Sequence, residues 1–181
     1  DPVDHLICYA MKANSNLGVL RVLAAMGSGF DIVSAGELYR VIRAGGDPGR
    51  CTFAGVGKTR SEIEYALEQG IYSFNVESED ELLFLNEVAA AHGVVAPVAL
   101  RVNPNVKADT HAKITTGTYE NKFGIAFEEI PGLYARAAKL GNLRLRGVQT
   151  HIGSQITEVS PFIAAVEKLV PLVAQLKADF G

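Results

Sequence analysis

The chain has 181 residues, of which 48% are hydrophobic and 20% charged, a composition typical of a folded domain with one core. Its formal net charge of -3 excludes the strongly basic surface that nucleic acids and anionic membranes attract. No apolar run approaches the ~20 residues of a membrane span, and no secretory signal pattern opens the chain, so we expect a cytoplasmic protein.

Six short apolar runs bounded by turn residues predict β-strands. They cover residues 6–10, 30–34, 51–54, 72–76, 98–102 and 145–151. Most of these runs are almost continuously apolar, as expected for strands of a parallel sheet that is covered on both faces.

Amphipathic stretches between the strands predict six helices. They cover residues 17–26, 35–44, 60–69, 79–92, 127–140 and 159–178. Ser78 is the expected N-cap of the fourth helix, with Glu81 at the capping-box position. Five glycines are expected to end helices. They are Gly27, Gly45, Gly70, Gly93 and Gly141.

The alternation of strands and helices predicts an α/β architecture with parallel strands. The interval from Val98 to Leu145 is about twice as long as the others, which predicts an inserted loop at about residues 104–124. Two closures fit this pattern, a doubly wound open sheet and a (β/α)8 barrel of which the chain would supply about six units. Periodicity alone does not decide between them.

Two charged residues stand out, one after a predicted strand and one within a predicted strand. Lys12 follows the first strand, where a lysine usually caps a structure or extends to solvent. At the carboxyl end of a parallel strand it would instead point into the face where α/β active sites gather, and desolvation there would favour the neutral amine of Schiff-base chemistry. Asp31 lies within the second strand and is either a structural carboxylate or a charge partner near Lys12.

Two turns after predicted strands have the composition of anion-binding loops. His151 is followed by a small-residue turn whose backbone N–H groups and Ser154 hydroxyl could hold an anion, although a lone histidine is more often structural. The segment GVGKT at residues 55–59 lacks the first glycine of a nucleotide P-loop, since Thr52 stands at that position, so we interpret it as a tight βα turn.

The histidines and cysteines do not predict a metal site or a disulfide. Cys8 and Cys51 form no C-x-x-C pair, and we expect two buried, reduced thiols. The four histidines show no metal-ligand spacing. They are His5, His92, His111 and His151.

Eight segments, in order along the chain, resemble the fold-type III pyridoxal-phosphate-dependent amino-acid decarboxylases. They are YAMKAN (9–14), GFDIVSAGEL (29–38), TFAGVGKT (52–59), FNVES (74–78), LRVNP (100–104), THAKITTG (110–117), ENKFGI (120–125) and HIGSQ (151–155). The resemblance implies a (β/α)8 barrel of the TIM type joined to a β-rich domain. Family members are longer at both ends, so we expect residues 1–181 to form a partial barrel domain of about six units, without the β domain and inactive alone.

The resemblance also implies roles for individual residues. Lys12 matches the lysine that binds pyridoxal 5'-phosphate covalently, and His151 matches the histidine that stacks on the pyridine ring. Ser154 matches a residue that hydrogen-bonds the cofactor phosphate, and Asp31 matches an acidic residue close to the lysine. Residues 110–117 and 122–124 match a segment near the mouth of the site and a dimer contact, so a homodimer or higher homo-oligomer is expected.

Within the family, the segment THAKITTG and the Gln155 ending favour decarboxylation of meso-2,6-diaminopimelate to L-lysine, the last step of lysine biosynthesis. Two alternatives stay open. One is a related decarboxylase of the ornithine or arginine type, and the other is a barrel fragment that catalyses no reaction.

Overall fold

The computed structural model describes residues 4–105, 123–154 and 156–181, and the strands in these ranges form one entirely parallel sheet. The strands are β1 (Cys8–Ala10), β2 (Gly29–Ile32), β3 (Cys51–Phe53), β4 (Ser73–Val76), β5 (Ala96–Asn103), β6 (Ile125–Ala126) and β7 (Leu143–Thr150). The six predicted strands are confirmed, and each of their ends lies within two residues of the predicted position. The two-residue strand β6 was not predicted.

Helices connect the strands. They are α1 (Leu17–Ala25), α2 (Ala35–Arg43), α3 (Arg60–Glu68), α4 (Glu79–Ala91), α5 (Ile130–Ala137) and α6 (Ser160–Phe180). Short 3-10 helices cover Pro48–Arg50 and Phe127–Glu129. Among the described residues, no helix has both the length and the apolar composition needed to cross a membrane.

The sheet order is β1-β2-β3-β4-β5, with β7 paired along the far edge of β5. One edge of β5 is paired with β7 as far as Val102. β6 also pairs with Val102, so it lies on the other edge of β5, next to the end of β4. The predicted parallel α/β architecture is confirmed. Within the described ranges β7 does not pair with β1, so this part of the sheet is open.

The central strands are covered on both faces, as predicted, since all four residues of β4 and the first five of β5 are buried. The size and polarity of the side chains alternate along these strands. One face carries large side chains packed in the core with helix residues such as Leu38, Ile63 and Leu85. These strand residues are Phe30, Ile32, Phe53, Phe74, Val76, Val98, Leu100 and Val102. Successive side chains of a strand point to opposite faces, so the residues between them turn the other way. They include Asp31, Thr52, Asn75 and Arg101.

The predicted helix starts agree with the capping contacts. The Ser78 hydroxyl accepts a hydrogen bond of 3.2 Å from the backbone N–H of Glu81, which confirms the N-cap of α4. The Glu81 carboxylate does not complete the capping box there, since it binds Lys58 and the backbone N–H of Glu77. A complete capping box starts α3 instead, between Thr59 and Glu62.

Helix α5 differs from the prediction. It starts at Ile130 rather than residue 127 because Pro131 has no N–H and cannot donate to the carbonyl of Phe127, so residues 127–129 form a 3-10 turn. It ends at Ala137, so Gly141 is not its terminal glycine. The other four predicted glycines follow their helices with positive φ, as helix-ending glycines do.

Candidate active site

Lys12 lies in the turn that directly follows β1. The backbone N–H of Met11 donates a hydrogen bond of 3.0 Å to the carbonyl of Asp31, and the N–H of Ala13 donates one of 3.0 Å to Ala10. Met11 is buried and anchors the turn, whereas Lys12 is exposed. The predicted position at the carboxyl end of a strand is therefore confirmed, but the described residues do not desolvate the lysine as predicted.

A cavity of about 290 Å³ opens at the carboxyl ends of the strands. Three residues that the sequence predicted for the site line it together, namely Lys12, Asp31 and His151. The other lining residues come from the end of β2, the turn after β3, β5, β7 and Phe123. Arg101 on β5 and Gln149 on β7 also line the cavity and were not predicted from the sequence. The carboxyl edge of a parallel sheet is where α/β folds bind their ligands.

Asp31 is half-buried in the cavity wall. Burial raises the pKa of its carboxyl group above the ordinary value, because desolvation disfavours the charged form. A hydrogen bond from the Thr52 hydroxyl and the positive charges of Lys12, His151 and Arg101 act in the opposite direction without cancelling the shift. Asp31 is therefore a carboxylate that the fold keeps at an energetic cost beside Lys12.

His151 follows β7 at the mouth of the cavity, on the same side of the strand as Gln149. Desolvation lowers the pKa of its imidazole, and the positive charges of Arg101 and Lys12 lower it further. Asp31 and Glu77 raise it without cancelling the shift. The neutral ring is therefore the favoured form at neutral pH.

Arg101 forms an ion pair with Glu77, the residue that directly follows β4. The Arg101 Nη1 atom donates to both carboxylate oxygens, at 2.6 Å and 2.8 Å. The Arg101 guanidinium also lies 5.8 Å from the centre of the Phe123 ring. Arg101 thus places a positive charge in the cavity wall, while its counter-charge lies behind it.

Gln149 stands directly opposite Arg101, since the two are register partners on β7 and β5. Its Nε2 atom donates a hydrogen bond of 2.9 Å to the carbonyl of Thr150. Its Oε1 atom is buried and has no hydrogen-bond partner in the structure described. A buried acceptor of this kind usually has a partner, so the cavity wall contains an acceptor that can receive a donor from a ligand or a water.

The turn at residues 55–59 is the tight turn that the sequence predicted. Lys58 is buried and donates to the carbonyls of Gly55 (2.7 Å) and Asn75 (2.9 Å) and to the Glu81 carboxylate (2.6 Å). Its three N–H groups are fully engaged by these three acceptors. Lys58 therefore serves the structure and is not available to a phosphate.

Other predicted features lie outside the cavity. Ser154 is exposed three residues after His151 and does not line the cavity, so its role as a phosphate ligand stays a prediction. Residues 110–117, Lys122 and Gln155 lie outside the described residues, whereas Phe123 of the predicted mouth segment does line the cavity. In the described ranges no group of three His, Cys, Asp or Glu residues could hold a metal ion. Both cysteines are free thiols, and only Cys51 is fully buried.

The comparison with protein families decides the membership of the chain. Residues 2–181 match the family model described as "Pyridoxal-dependent decarboxylase, pyridoxal binding domain". The chain belongs to the pyridoxal-dependent decarboxylase family. The resemblance found in the sequence is therefore confirmed at the level of the family.

Two curated members of the pyridoxal-dependent decarboxylase family are more than half identical to the chain. Diaminopimelate decarboxylase of Pseudomonas aeruginosa is 60% identical over 172 residues, which are 95% of this chain and 41% of that protein. Diaminopimelate decarboxylase of Vibrio cholerae is 57% identical over 175 residues, or 97% of this chain and 42% of that protein. The chain thus spans about two fifths of the length of these relatives.

Solved structures of the decarboxylase family share the fold. The crystal structure of diaminopimelate decarboxylase from Helicobacter pylori complexed with L-lysine has a TM-score of 0.90 and 44% identity, covering 96% of this chain and 44% of that one. The lysine decarboxylase of Selenomonas ruminantium has a TM-score of 0.79 and 25% identity, covering 96% of this chain and 42% of that one. These relatives carry the barrel of fold-type III decarboxylases, which agrees with the predicted fold class.

The cavity residues fit the pyridoxal group that the decarboxylase family binds. Lys12 supplies a primary amine for an aldehyde, and Lys12 and Arg101 supply positive charge for an anionic ligand. His151 supplies a flat ring at the mouth, and the Oε1 atom of Gln149 lacks a hydrogen-bond donor from the residues described. These residues could hold the cofactor from one side of the cavity.

Proposed function

We propose that the protein, in its full natural length, decarboxylates meso-2,6-diaminopimelate to L-lysine with pyridoxal 5'-phosphate bound at the cavity of Lys12, Asp31 and His151. The observation that carries the proposal is the convergence of these three side chains on one cavity at the carboxyl edge of the sheet. The curated relatives at 60% and 57% identity are named for this reaction, and the Helicobacter pylori relative was crystallised with L-lysine.

Each cavity residue has a distinct task in this proposal. When bound, pyridoxal phosphate takes up the electron pair that remains when carbon dioxide leaves the substrate. Lys12 would hold the cofactor through its Nζ amine, and His151 would hold the pyridine ring with its imidazole. Arg101 contributes positive charge that attracts an anionic group into the cavity. Ser154 binds the phosphate from the turn that follows His151.

The test of the cofactor site is covalent trapping. Reduction with borohydride in the presence of pyridoxal phosphate should label one peptide, the one that contains Lys12. Before reduction, the protein with pyridoxal phosphate should show a visible absorbance band that is red-shifted from that of the free cofactor. The Lys12→Ala variant should lose both the label and this band. Lys58 is the matched control, because its amine is already held by three acceptors. Label on Lys58 or Lys122 in the wild-type protein would refute the assignment.

The test of the substrate is carbon dioxide release from three amino acids. We expect meso-diaminopimelate to react far faster than ornithine or arginine, because the two curated relatives at 60% and 57% identity to the chain are named diaminopimelate decarboxylase. Comparable rates on ornithine would favour the rival decarboxylase. An absence of the absorbance band would favour the rival barrel that catalyses no reaction.

We further propose a homodimer in the cytoplasm. The free thiols of Cys8 and Cys51 support a reducing compartment. Exposed apolar side chains on α6, including Phe162, Ile163 and Val166, support association, because a contiguous exposed apolar face is unusual in a monomer. Light scattering of the full-length protein tests assembly, and a monomer at micromolar concentration would contradict it.

Residues 1–181 expressed alone should be inactive, since they match 41–42% of the relatives' length.

A further inference from the structure

We propose that Glu77 is a positioning residue of the site, which fixes the guanidinium of Arg101 in the cavity wall. The positioning itself follows from the geometry, and only its effect on catalysis rests on the proposed function. Glu77 does not line the cavity of Lys12, Asp31 and His151, so any effect on a ligand there must pass through Arg101.

The contact restrains the arginine tightly. Both carboxylate oxygens of Glu77 accept from the same Arg101 nitrogen, Nη1, at 2.6 Å and 2.8 Å. The side chain of Glu77 is 4% exposed and that of Arg101 is 14% exposed, so water competes little for either partner. Charge-assisted hydrogen bonds are the strongest in proteins, and a low local dielectric strengthens them further. The Nε and Nη2 atoms of Arg101 make no hydrogen bond within the described part of the chain, so the contact with Glu77 fixes the orientation of the guanidinium.

Glu77 is itself held in place by the neighbouring unit. Its backbone N–H donates a hydrogen bond of 2.9 Å to Oε2 of Glu81, and Oε1 of Glu81 accepts from Lys58 at 2.6 Å. Lys58 and Glu81 have side chains that are 1% and 12% exposed. Two buried ion pairs therefore connect the turn after β3, the start of α4 and β5. The ion pair of Lys58 with Glu81 fixes the backbone of Glu77, from which the Glu77 side chain reaches Arg101.

The anchor decides which carboxylate Arg101 pairs with. Among the residues that line the cavity, Asp31 is the one with a carboxylate, and it already interacts with the positive charges of Lys12 and Arg101. Without the charge of Glu77, the guanidinium has Asp31 as its remaining anionic partner in the cavity. The Arg101 guanidinium would then move across the cavity and compete with Lys12 for the carboxylate of Asp31. Glu77 thus keeps Arg101 and Asp31 apart.

The first experiment measures the arginine without any substrate. In full-length protein with isotope-labelled arginine, NMR reports rotation about the Nε–Cζ bond of Arg101, assigned by its loss in Arg101→Lys. We expect slow rotation in the wild type and rapid rotation in Glu77→Gln. The control is Glu79→Gln, which breaks an exposed ion pair with Arg136 outside this cavity and should leave Arg101 unchanged. Unchanged rotation in Glu77→Gln would overturn the proposal.

The second experiment measures catalysis with meso-diaminopimelate and pyridoxal phosphate. We expect kcat of Glu77→Gln to fall about 10- to 100-fold with a smaller change in KM, as misplacement of a positioned group does, and Glu79→Gln to match the wild type. Glu77→Gln should have no further effect in an Arg101→Gln background, because it acts through that residue. Multiplicative losses in the double variant would indicate a separate structural role and overturn the proposal.

Two outcomes are distinguished by this design. If the wild type does not act on diaminopimelate, the proposed function fails while the NMR measurement still decides whether Glu77 positions Arg101. If Glu77→Gln does not fold, Glu77→Asp keeps the charge at a shorter reach. In Glu77→Asp we then expect the rotation rate of the Arg101 guanidinium to lie between that in the wild type and that of free arginine. A wild-type rotation rate together with a wild-type kcat would overturn the proposal.

Discussion

Thr52 donates a hydrogen bond of 3.1 Å to Oδ1 of Asp31 across β2 and β3, where the two residues are register partners. The hydroxyl satisfies one oxygen of a carboxylate that burial penalises. Asp31 nevertheless keeps a raised pKa, because the desolvation exceeds the stabilisation from Thr52 and the nearby positive charges. A group maintained against its own desolvation is typical of a functional site.

Replacing Asp31 by Asn should stabilise the protein at neutral pH. The folded pKa of Asp31 is raised above 3.8, so the folded state binds more protons and stability falls as pH rises through the interval between these values. Asn carries no charge and keeps an acceptor for Thr52. Urea unfolding at pH 7 should therefore give a higher midpoint for Asp31→Asn, and the difference should shrink as pH falls toward 3.8. A lower midpoint at pH 7 would contradict the desolvation argument.

Stability should depend on the titration of His151 in the opposite sense. Its folded pKa lies below 6.5, so the unfolded state binds more protons between that value and 6.5. The stability that comes from the neutral ring is complete above pH 6.5 and is lost as pH falls through the folded pKa. Thermal melting from pH 7.5 to pH 5 should show a steeper loss for the wild type than for His151→Gln. Parallel curves would show that the imidazole is not desolvated.

Loss of the Lys58 amine should strongly destabilise the fold. Lys58→Met keeps the length of the side chain but leaves Glu81 without its cation and removes the donor to two carbonyls. Removing one partner of a buried ion pair typically costs about 3–5 kcal/mol. The matched control is Lys12→Met, where the lysine is exposed and the expected change is within about 0.5 kcal/mol. Urea unfolding measures both, and equal losses would contradict the structural role of Lys58.

Gly29 should tolerate no side chain at the start of β2. A Cβ atom there would lie 2.5 Å from the carbonyl oxygen of Arg50 and 2.7 Å from Sγ of Cys8. The backbone oxygen cannot turn away as a flexible side chain can, so Gly29→Ala should cost about 1–3 kcal/mol through overpacking. Gly141→Ala is the control, since no atom lies within 4 Å of its added Cβ. Similar melting temperatures for the two variants would refute this close approach.

The strands could be predicted from the sequence because their apolar runs are short and end at turn residues. The positions of Lys12, Asp31 and His151 could be predicted because each departs from an apolar run or ends one. Arg101 and Gln149 were missed because each strand was interpreted as a single apolar run. The signal was the alternation within the runs, since Arg101 lies between buried Leu100 and Val102, and Gln149 is two residues before His151.

Other features depend on contacts that the sequence does not reveal. Glu81 has the right spacing for a capping box with Ser78, yet its carboxylate binds Lys58, because a buried ammonium is a stronger partner than the backbone at the cap. The capping box of Thr59 and Glu62 carries the same spacing and does form. Local spacing therefore predicted two possible capping boxes, and the ion pair of Glu81 with Lys58 prevents one of them from forming.

The alternation of large apolar side chains with smaller or polar ones along the strands has a consequence for how this domain can evolve. The large residues that hold the sheet to its helices, such as Phe53 and Leu100, alternate with residues that line the cavity, such as Asp31 and Arg101. Mutations on the ligand side therefore leave the hydrophobic anchors in place and draw less on the narrow stability margin that limits divergence. A randomised library confined to the cavity-lining positions 33 and 149 should yield mostly folded variants, in which ligand preference changes while thermal stability stays within a narrow range.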